Sequence, residues 1–321
     1  MEHKQTAAIT NLQWSIAICI ILISCIFLFP PEYLLAKQIS RYALLWMFLC
    51  LILGIGFMFL DWEKLLFISF TCAGLIASFL LYSYNSAINF ANNSTQESLS
   101  MVFVNPSLST DDFDNTYKVI VEQNPDVLII EEVTPEWRWL MVELKEKFEN
   151  YVELNRVDPF GKAIFSKYKF NRIDTVDADN NPILSVRINL SEQKEILISV
   201  ANFLPAVTKT DLRKLNSRLL ELSTIINSLE VPHILSANLN LVPWDRQIRE
   251  FKVNTKMSSS RRDQIDGSSN TQIWNILNVP MNEIYYSENL ECSGFKEIND
   301  TKNNSIGLFG RYQFKIKNQK M

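Results

Sequence analysis

Three long apolar segments without a formal charge fill most of the first 84 residues, and no other feature restricts the fold as strongly. Leu12–Phe29 reads LQWSIAICIILISCIFLF, Tyr42–Leu60 reads YALLWMFLCLILGIGFMFL, and Leu65–Tyr84 reads LLFISFTCAGLIASFLLYSY. Crossing the ~30 Å hydrocarbon core takes about 20 helical residues, which is close to each of these lengths. A buried soluble helix of that length would show a polar face, and none of these does. The connections, Pro30–Arg41 and Asp61–Lys64, are short, so the expected anchor is an up-down-up bundle of three spans. Trp14, Trp46, Trp62, Tyr82 and Tyr84 fall at or near the span ends, where aromatic rings suit the membrane–water interface.

The first segment lacks a small-x-small cleavage site, ends in Pro30-Pro31 and leads into two further spans, which favours an anchor over a cleaved leader. Basic residues flanking the spans are evenly divided, but Asn85–Tyr117 contains no Lys or Arg. Cytoplasmic flanks usually carry them, so the remainder of the chain is expected outside the cytoplasm. Four of the five cysteines (Cys19, Cys25, Cys50, Cys72) lie in the spans and Cys292 stands alone, which leaves no disulfide or metal-thiolate pattern. The 31 basic and 35 acidic residues give a net charge of −4, and four of each lie in the first 95 positions. The water-facing part is therefore acidic, which argues against nucleic acid as a partner. Its one basic doublet, Arg261-Arg262, sits near Asp263 and Asp266 and reads as a solvated loop.

After a polar, Asn- and Ser-rich linker at 85–100, short apolar runs alternate with helical patterns. Met101–Val104, Val127–Ile130, Ala163–Phe165, Ile183–Ile188, Ile196–Val200, His233–Ala237, Glu283–Tyr286 and Tyr312–Ile316 read as strands. Phe113, Tyr117, Ile120 and Val121 form one helical stripe. Leu140, Leu144 and Phe148 form a second, after a Thr134 cap and Pro135. Leu212, Leu215, Leu219, Leu222 and Ile226 form a third. This alternation predicts a single α/β domain over residues 101–317.

Several blocks occur in a recognisable order: VNPS, NPDVLIIEEVTPEW, FGKAIFSKY, ISVANFLPAV, ILSANLNLVPW and TQIWNILNVPMNEIYYS. Together they resemble the divalent-metal-dependent endonuclease/exonuclease/phosphatase superfamily, in particular its bacterial members with three N-terminal membrane spans. The resemblance implies a four-layer α/β/β/α sandwich (DNase I-like) with site loops at one end of the sheets, and it implies the bacterial inner membrane with a periplasmic domain. Active members of the family cleave phosphate esters using a bound metal, carboxylates to hold it and a His–Asp pair to activate water.

By this resemblance, the first-strand Asn of the family falls on Asn105, and the metal-binding Glu on Glu132, with Glu131 beside it. The mid-domain His falls on Asn202. In the Gly-Asp-x-Asn motif, Ala237 and Asn238 replace Gly and Asp while Asn240 is kept. The late Asp-His falls on Asn282-Glu283, and the terminal Ser-Asp-His on Leu308-Phe309-Gly310. The catalytic His and Asp are thus missing. Composition alone reaches the same point, because the chain has two histidines, His3 in the N-terminal tail and His233 at the start of a strand. A mechanism with two active-site histidines is not available to it.

Glu132 is the one metal candidate, and its alternative role is a carboxylate at the start of the Pro135 helix, where the dipole favours negative charge. Glu131 reads as a solvated neighbour. Asn105, Asn202, Asn238 and Asn240 could line a polar pocket or act as turn residues bonding their own backbone. Trp137, Trp139 and Trp244 could form a partner surface, although packing under loops is expected for at least two of them. Leu308 and Phe309 form an apolar pair that either fills the vacated cleft or stays exposed as a contact patch. The expectation is a membrane-anchored pseudoenzyme that needs no cofactor and serves as a binding or assembly module, with the bilayer and an unidentified protein as partners. The alternatives are a divergent phosphodiesterase or nuclease that uses Glu132 with Mg²⁺ or Mn²⁺, and an intramembrane role for the bundle. The absence of charge within the spans weighs against a transport path.

Overall fold

A computed structural model of the 321-residue chain describes residues 2–84, 89–92, 97–109, 112–178, 181–192, 194–261 and 281–315. The N-terminal part comprises α1 (Glu2–Leu28), α2 (Leu34–Ser40), α3 (Ala43–Phe59) and α4 (Glu63–Tyr84). Helices α1 and α4 are each long and apolar enough to cross a membrane. Helices α2 and α3 meet at a 64° bend, and a third such segment is obtained if the bent pair is taken as one. The helices pack through Ala17, Ile20, Cys50, Phe57, Leu65, Cys72 and Ala73. At Gly54 an added Cβ would lie 3.1 Å from the Phe70 ring, so the missing side chain lets α3 and α4 approach closely. Trp46 departs from the expected interfacial position: its indole N–H donates to Ser24 Oγ at 3.0 Å and its ring stacks on Phe27 inside the bundle.

The remainder is a sandwich of two six-stranded sheets. The first sheet contains β1 (Ser98–Val104), β2 (Val127–Glu131), β3 (Asn150–Leu154), β4 (Lys162–Ser166), β11 (Leu290–Asn299) and β12 (Ser305–Phe314), in the order β11-β12-β1-β2-β4-β3. The second contains β5 (Phe170–Ala178), β6 (Asn181–Ser191), β7 (Lys194–Asn202), β8 (His233–Asn238), β9 (Ser258–Ser259) and β10 (Asn282–Tyr286), in the order β5-β6-β7-β8-β10-β9. Each sheet has one parallel pair near its centre, β1 with β2 and β7 with β8. The crossovers between these partners run through α5 (Phe113–Glu122) and α7 (Lys209–Asn227), the usual way to join parallel neighbours. Helices α6 (Arg138–Lys147) and α8 (Arg246–Thr255) complete the outer layers.

Side-chain parity explains the layering. In β1 the odd-numbered residues Leu99, Met101 and Phe103 enter the core between the sheets, while Val102 and Val104 pack outward against Ile120, Leu140 and Leu144. In β7 Ile196, Ile198 and Val200 do the former. On the outer face of the second sheet, Leu235 and Ala237 meet the α7 stripe Leu215, Leu219, Leu222 and Ile226. A reciprocal capping box, Thr208 with Asp211, starts α7. The polar linker is shorter than the sequence suggested. Strand β1 begins at Ser98, and the Ala91 N–H bonds the Cys292 carbonyl at 3.0 Å, which ties part of the connection to a sheet edge.

Candidate functional site

The same parity that builds the inter-sheet core leaves a polar layer at one end of it. The inward series of β1 runs Leu99, Met101, Phe103 and then Asn105; that of β2 runs Val127, Ile129, Glu131. The corresponding series end in Lys162 on β4, Asn202 on β7 and Asn238 on β8. Glu131 is directly opposite Lys162 across the β2–β4 ladder, Asn202 opposite Asn238, and Asn238 opposite Asn282. Asn105, Glu131, Lys162 and Asn202 are all buried.

Glu131 is therefore no solvated neighbour, because its position in the strand turns it into the sandwich. Its Oε1 accepts a long 3.5 Å bond from Asn105 Nδ2, and its Oε2 makes no hydrogen bond of normal geometry. Burial pushes the carboxyl up to about 8; nearby Glu132 adds to the rise, and Lys162, Asn238 and Asn105 oppose it. Lys162 bridges the two sheets by donating to the Pro182 carbonyl at 2.7 Å. Sequence patterns put Glu131 in solvent and pass over Lys162, although strand parity places both inside. Glu132 sits at the turn beyond β2 with φ at +54°, and its Oε2 accepts from Ser107 Oγ at 2.7 Å. The N-cap before Pro135 is Thr134, so Glu132 is tied to the β1 loop rather than to the helix start.

Asn105, Asn238 and Asn240 are engaged with the backbone, whereas Asn202 Oδ1 is buried without a hydrogen-bond partner. Asn105 Oδ1 accepts from the Ser107 N–H at 3.0 Å, and Asn238 Oδ1 from the Asn240 N–H at 3.3 Å; both are turns closed on the residue two positions ahead. Asn240, at φ +52°, donates through Nδ2 to the Phe203 carbonyl at 2.5 Å. Asn202 Nδ2 donates to the Pro159 carbonyl at 2.8 Å. Glu283 is buried, raised by that burial, and faces Arg261 at 3.8 Å. Arg261 also bonds Glu297 and lies over Phe295, so it is not a solvated loop residue; Arg262 lies outside the described residues. His233, at the opposite end of β8 from Asn238, is lowered to about 4 by burial.

Leu308 and Phe309 do not form a pair at a cleft mouth. Leu308 is 1% exposed and faces Phe103 inside the inter-sheet core, below the polar layer. Phe309 points to the other face, packs against the α5–α6 layer and lies between the Lys296 and Arg311 cations. At the level of the polar layer, β12 instead presents Ile306, whose carbonyl accepts the Asn105 N–H at 2.9 Å. The nearby Asp300 is engaged by its own turn, accepting from Lys302 N and Asn304 N. Of the tryptophans, Trp137 stacks on Phe113, Trp244 is buried against the N-terminal helices, and Trp139 is 72% exposed.

This donor set offers a divalent cation few charged ligands. Among the described residues no three His, Cys, Asp or Glu side chains come together. The inward carboxyl, Glu131, has the buried lysine Lys162 directly across the ladder. A hard cation takes several charged or carbonyl oxygens; here Asn105 Oδ1 and Asn238 Oδ1 accept backbone N–H groups, while Asn202 Oδ1 and Glu131 Oε2 are buried without a hydrogen bond.

Neither a protein-family model nor a curated protein matches the sequence. The structure, however, is similar to that of an endonuclease/exonuclease/phosphatase from Beutenbergia cavernae, with a TM-score of 0.52 at 10% identity over 68% of this chain and 72% of that one. It is also similar to the human Nocturnin catalytic domain with bound sulfate, at a TM-score of 0.50 and 16% identity over 71% and 97% of the two chains. A third similar structure is ANGEL2, described as a 2′,3′-cyclic phosphatase, at a TM-score of 0.52 and 13% identity over 72% and 100%. The sandwich thus has the endonuclease/exonuclease/phosphatase fold, and at these identities the likeness concerns the fold alone.

Proposed function

We propose that this chain is a membrane-anchored pseudoenzyme of the endonuclease/exonuclease/phosphatase fold, kept as a binding or assembly module. The observation that carries this reading is the polar layer itself, where a buried lysine and a proton-holding Glu131 stand among asparagines that bond the backbone. Hydrolysis needs a positioned base, and the described residues of this layer include no histidine. In the proposed arrangement three spans, the second being the bent α2–α3 pair, hold the chain in a bacterial inner membrane with the sandwich on the periplasmic side. The apolarity of the helices and the absence of Lys and Arg over Asn85–Tyr117 support that arrangement. The bilayer is then one partner and a second protein the other, to be sought by co-purification from solubilised membranes.

The test uses the full chain in detergent, assayed with a chromogenic phosphodiester and with DNA in Mg²⁺ or Mn²⁺. No hydrolysis above background is expected, since loss of a positioned general base alone costs ~10²–10⁴-fold. Turnover that disappears in Glu132→Gln would establish the metal-dependent phosphodiesterase reading instead.

A further inference from the structure

The N-terminal helices do not hold the sandwich on a free tether. They grip the loop that follows β8, at the polar-layer end. Val242 and Trp244 are buried among Phe27, Ala43, Ile76 and Leu80 of α1, α3 and α4. The Trp244 indole N–H donates to the Ser40 carbonyl at 2.8 Å. Lys37 of α2 bonds both oxygens of Asp245, at 2.9 and 3.0 Å, and also bonds Gln247 Oε1. Along α8, the Arg249 guanidinium lies over Phe79, and Lys252 Nζ donates to the Ser83 carbonyl at 2.8 Å.

These contacts orient the domain. The last turn of α4, at Ser83, meets the far end of α8, while Ile76, two turns deeper, meets the loop tip. At 1.5 Å of rise per residue the tip reaches roughly 10 Å back along α4, toward the middle of the helix. The strand ends that carry Asn105, Glu131, Asn202 and Asn238 gather at this same end. Exposed apolar side chains flank the seam. Leu204 and Val207, the latter 69% exposed, border Pro205 and Ala206, which line a cavity together with Leu34, Lys37 and Gln38 of α2. On α2 itself Leu35 and Ile39 lie four residues apart on one exposed face.

We propose that the polar-layer end of the sandwich is its membrane-facing surface, with Leu204, Val207, Leu35 and Ile39 seated in the lipid headgroup layer. The inference rests on the membrane reading above, and its occupant is the bilayer into which α1, α3 and α4 lead. Anything that reaches the polar layer then arrives along the membrane, and a bulky soluble polymer such as duplex DNA is kept from it.

The test places a polarity-sensitive fluorescent amino acid singly at Val207, Ile52 and Glu230 of the full chain in phosphatidylcholine/phosphatidylglycerol nanodiscs. Spin-labelled lipids then quench at shallow or deep positions. Ile52 is an exposed mid-α3 site, and exposed Glu230 precedes β8 at the opposite end of the sandwich. The expected result is blue-shifted emission at Val207 quenched by the shallow label, quenching at Ile52 by the deep label, and neither effect at Glu230. If Ile52 is quenched while Val207 behaves like Glu230, the orientation is wrong and the membrane reading stands. If Val207 is blue-shifted but no lipid label quenches it, a protein surface covers it and the proposal fails. If Ile52 is not quenched, the membrane reading fails and takes the proposal with it.

Discussion

At the polar layer the sheet of β1, β2 and β4 ends in ionisable groups, Glu131, Glu132 and Lys162, whereas the sheet of β7 and β8 ends in amides, Asn202, Asn238 and Asn240. The first set is loosely satisfied: Glu131 has one long hydrogen bond, and Glu132 leans on a serine. The second set bonds the backbone, although Asn202 Oδ1 is left without a partner, and its loop continues into the clamp on the N-terminal helices. The amide-bearing half is thus also the half in contact with the N-terminal helices.

Three measurements sharpen or break that contrast. The largest effect is expected on the docked side. Asp245→Ala leaves Lys37 buried without its carboxylate and removes the α8 cap, for a loss of about 3–5 kcal/mol in thermal unfolding of the detergent-solubilised chain. Trp244 emission should shift red as the seam opens. An unchanged melt would mean that the clamp contributes nothing.

The acid-bearing side should respond less. Gly161 passes the turn after β2 so closely that a Cβ would lie 2.1 Å from the Val133 carbonyl oxygen. Gly161→Ala should therefore cost ~1–3 kcal/mol, the usual range for overpacking. Gly294→Ala is the control, since its Cβ would meet only Arg311 Cβ, at an ordinary 3.8 Å. Equal melts for the two variants would contradict the tight passage.

The smallest effect is a slope with pH. Folded Glu131 keeps its proton up to about 8, whereas the unfolded carboxyl loses it near 4.5, so stability falls as pH rises across that interval. His233 acts in the other direction: it is neutral down to about 4 when folded and titrates near 6.5 when unfolded, so stability rises with pH between those values. The two oppose each other in the acidic range, and above 6.5 the Glu131 slope remains. Melting temperatures taken from pH 6.5 to 8 should fall in the wild type and flatten in Glu131→Gln. An identical slope in both would remove Glu131 from the account.

Elements with an unbroken apolar run were legible in the sequence. Strands β2, β7 and β8 and helix α7 lie where their patterns put them, because burial on both faces or along one stripe dictates composition directly. Strands β3, β5 and β11 were not, since Asn150–Leu154 is only partly buried with Tyr151 exposed, and Leu290–Asn299 mixes exposed Lys296 and Glu297 with burial. Helix α8 hides its stripe in Ile248, Phe251 and Thr255 within a mostly polar segment. At the candidate site, reading by motif drew attention to Glu132 and to Leu308-Phe309, whereas strand parity selects Glu131 and Lys162. A motif records which residue types once worked together, but the pleat decides which side chains enter the sandwich. The anchor contact could not be read at all, because Lys37 and Asp245 meet across 208 positions and nothing local announces the pair.

The seam at Trp244 also bears on how this chain can be handled and made. A fragment begun after residue 84 would present Val242, Trp244 and Met281 bare to water, beside an aspartate stripped of its lysine. Such a fragment would carry an adhesive rim, prone to self-association at the concentrations used for crystallisation or assay. During synthesis the order is favourable, since the hydrophobic cradle leaves the ribosome first and the tryptophan that fills it emerges some 160 residues later.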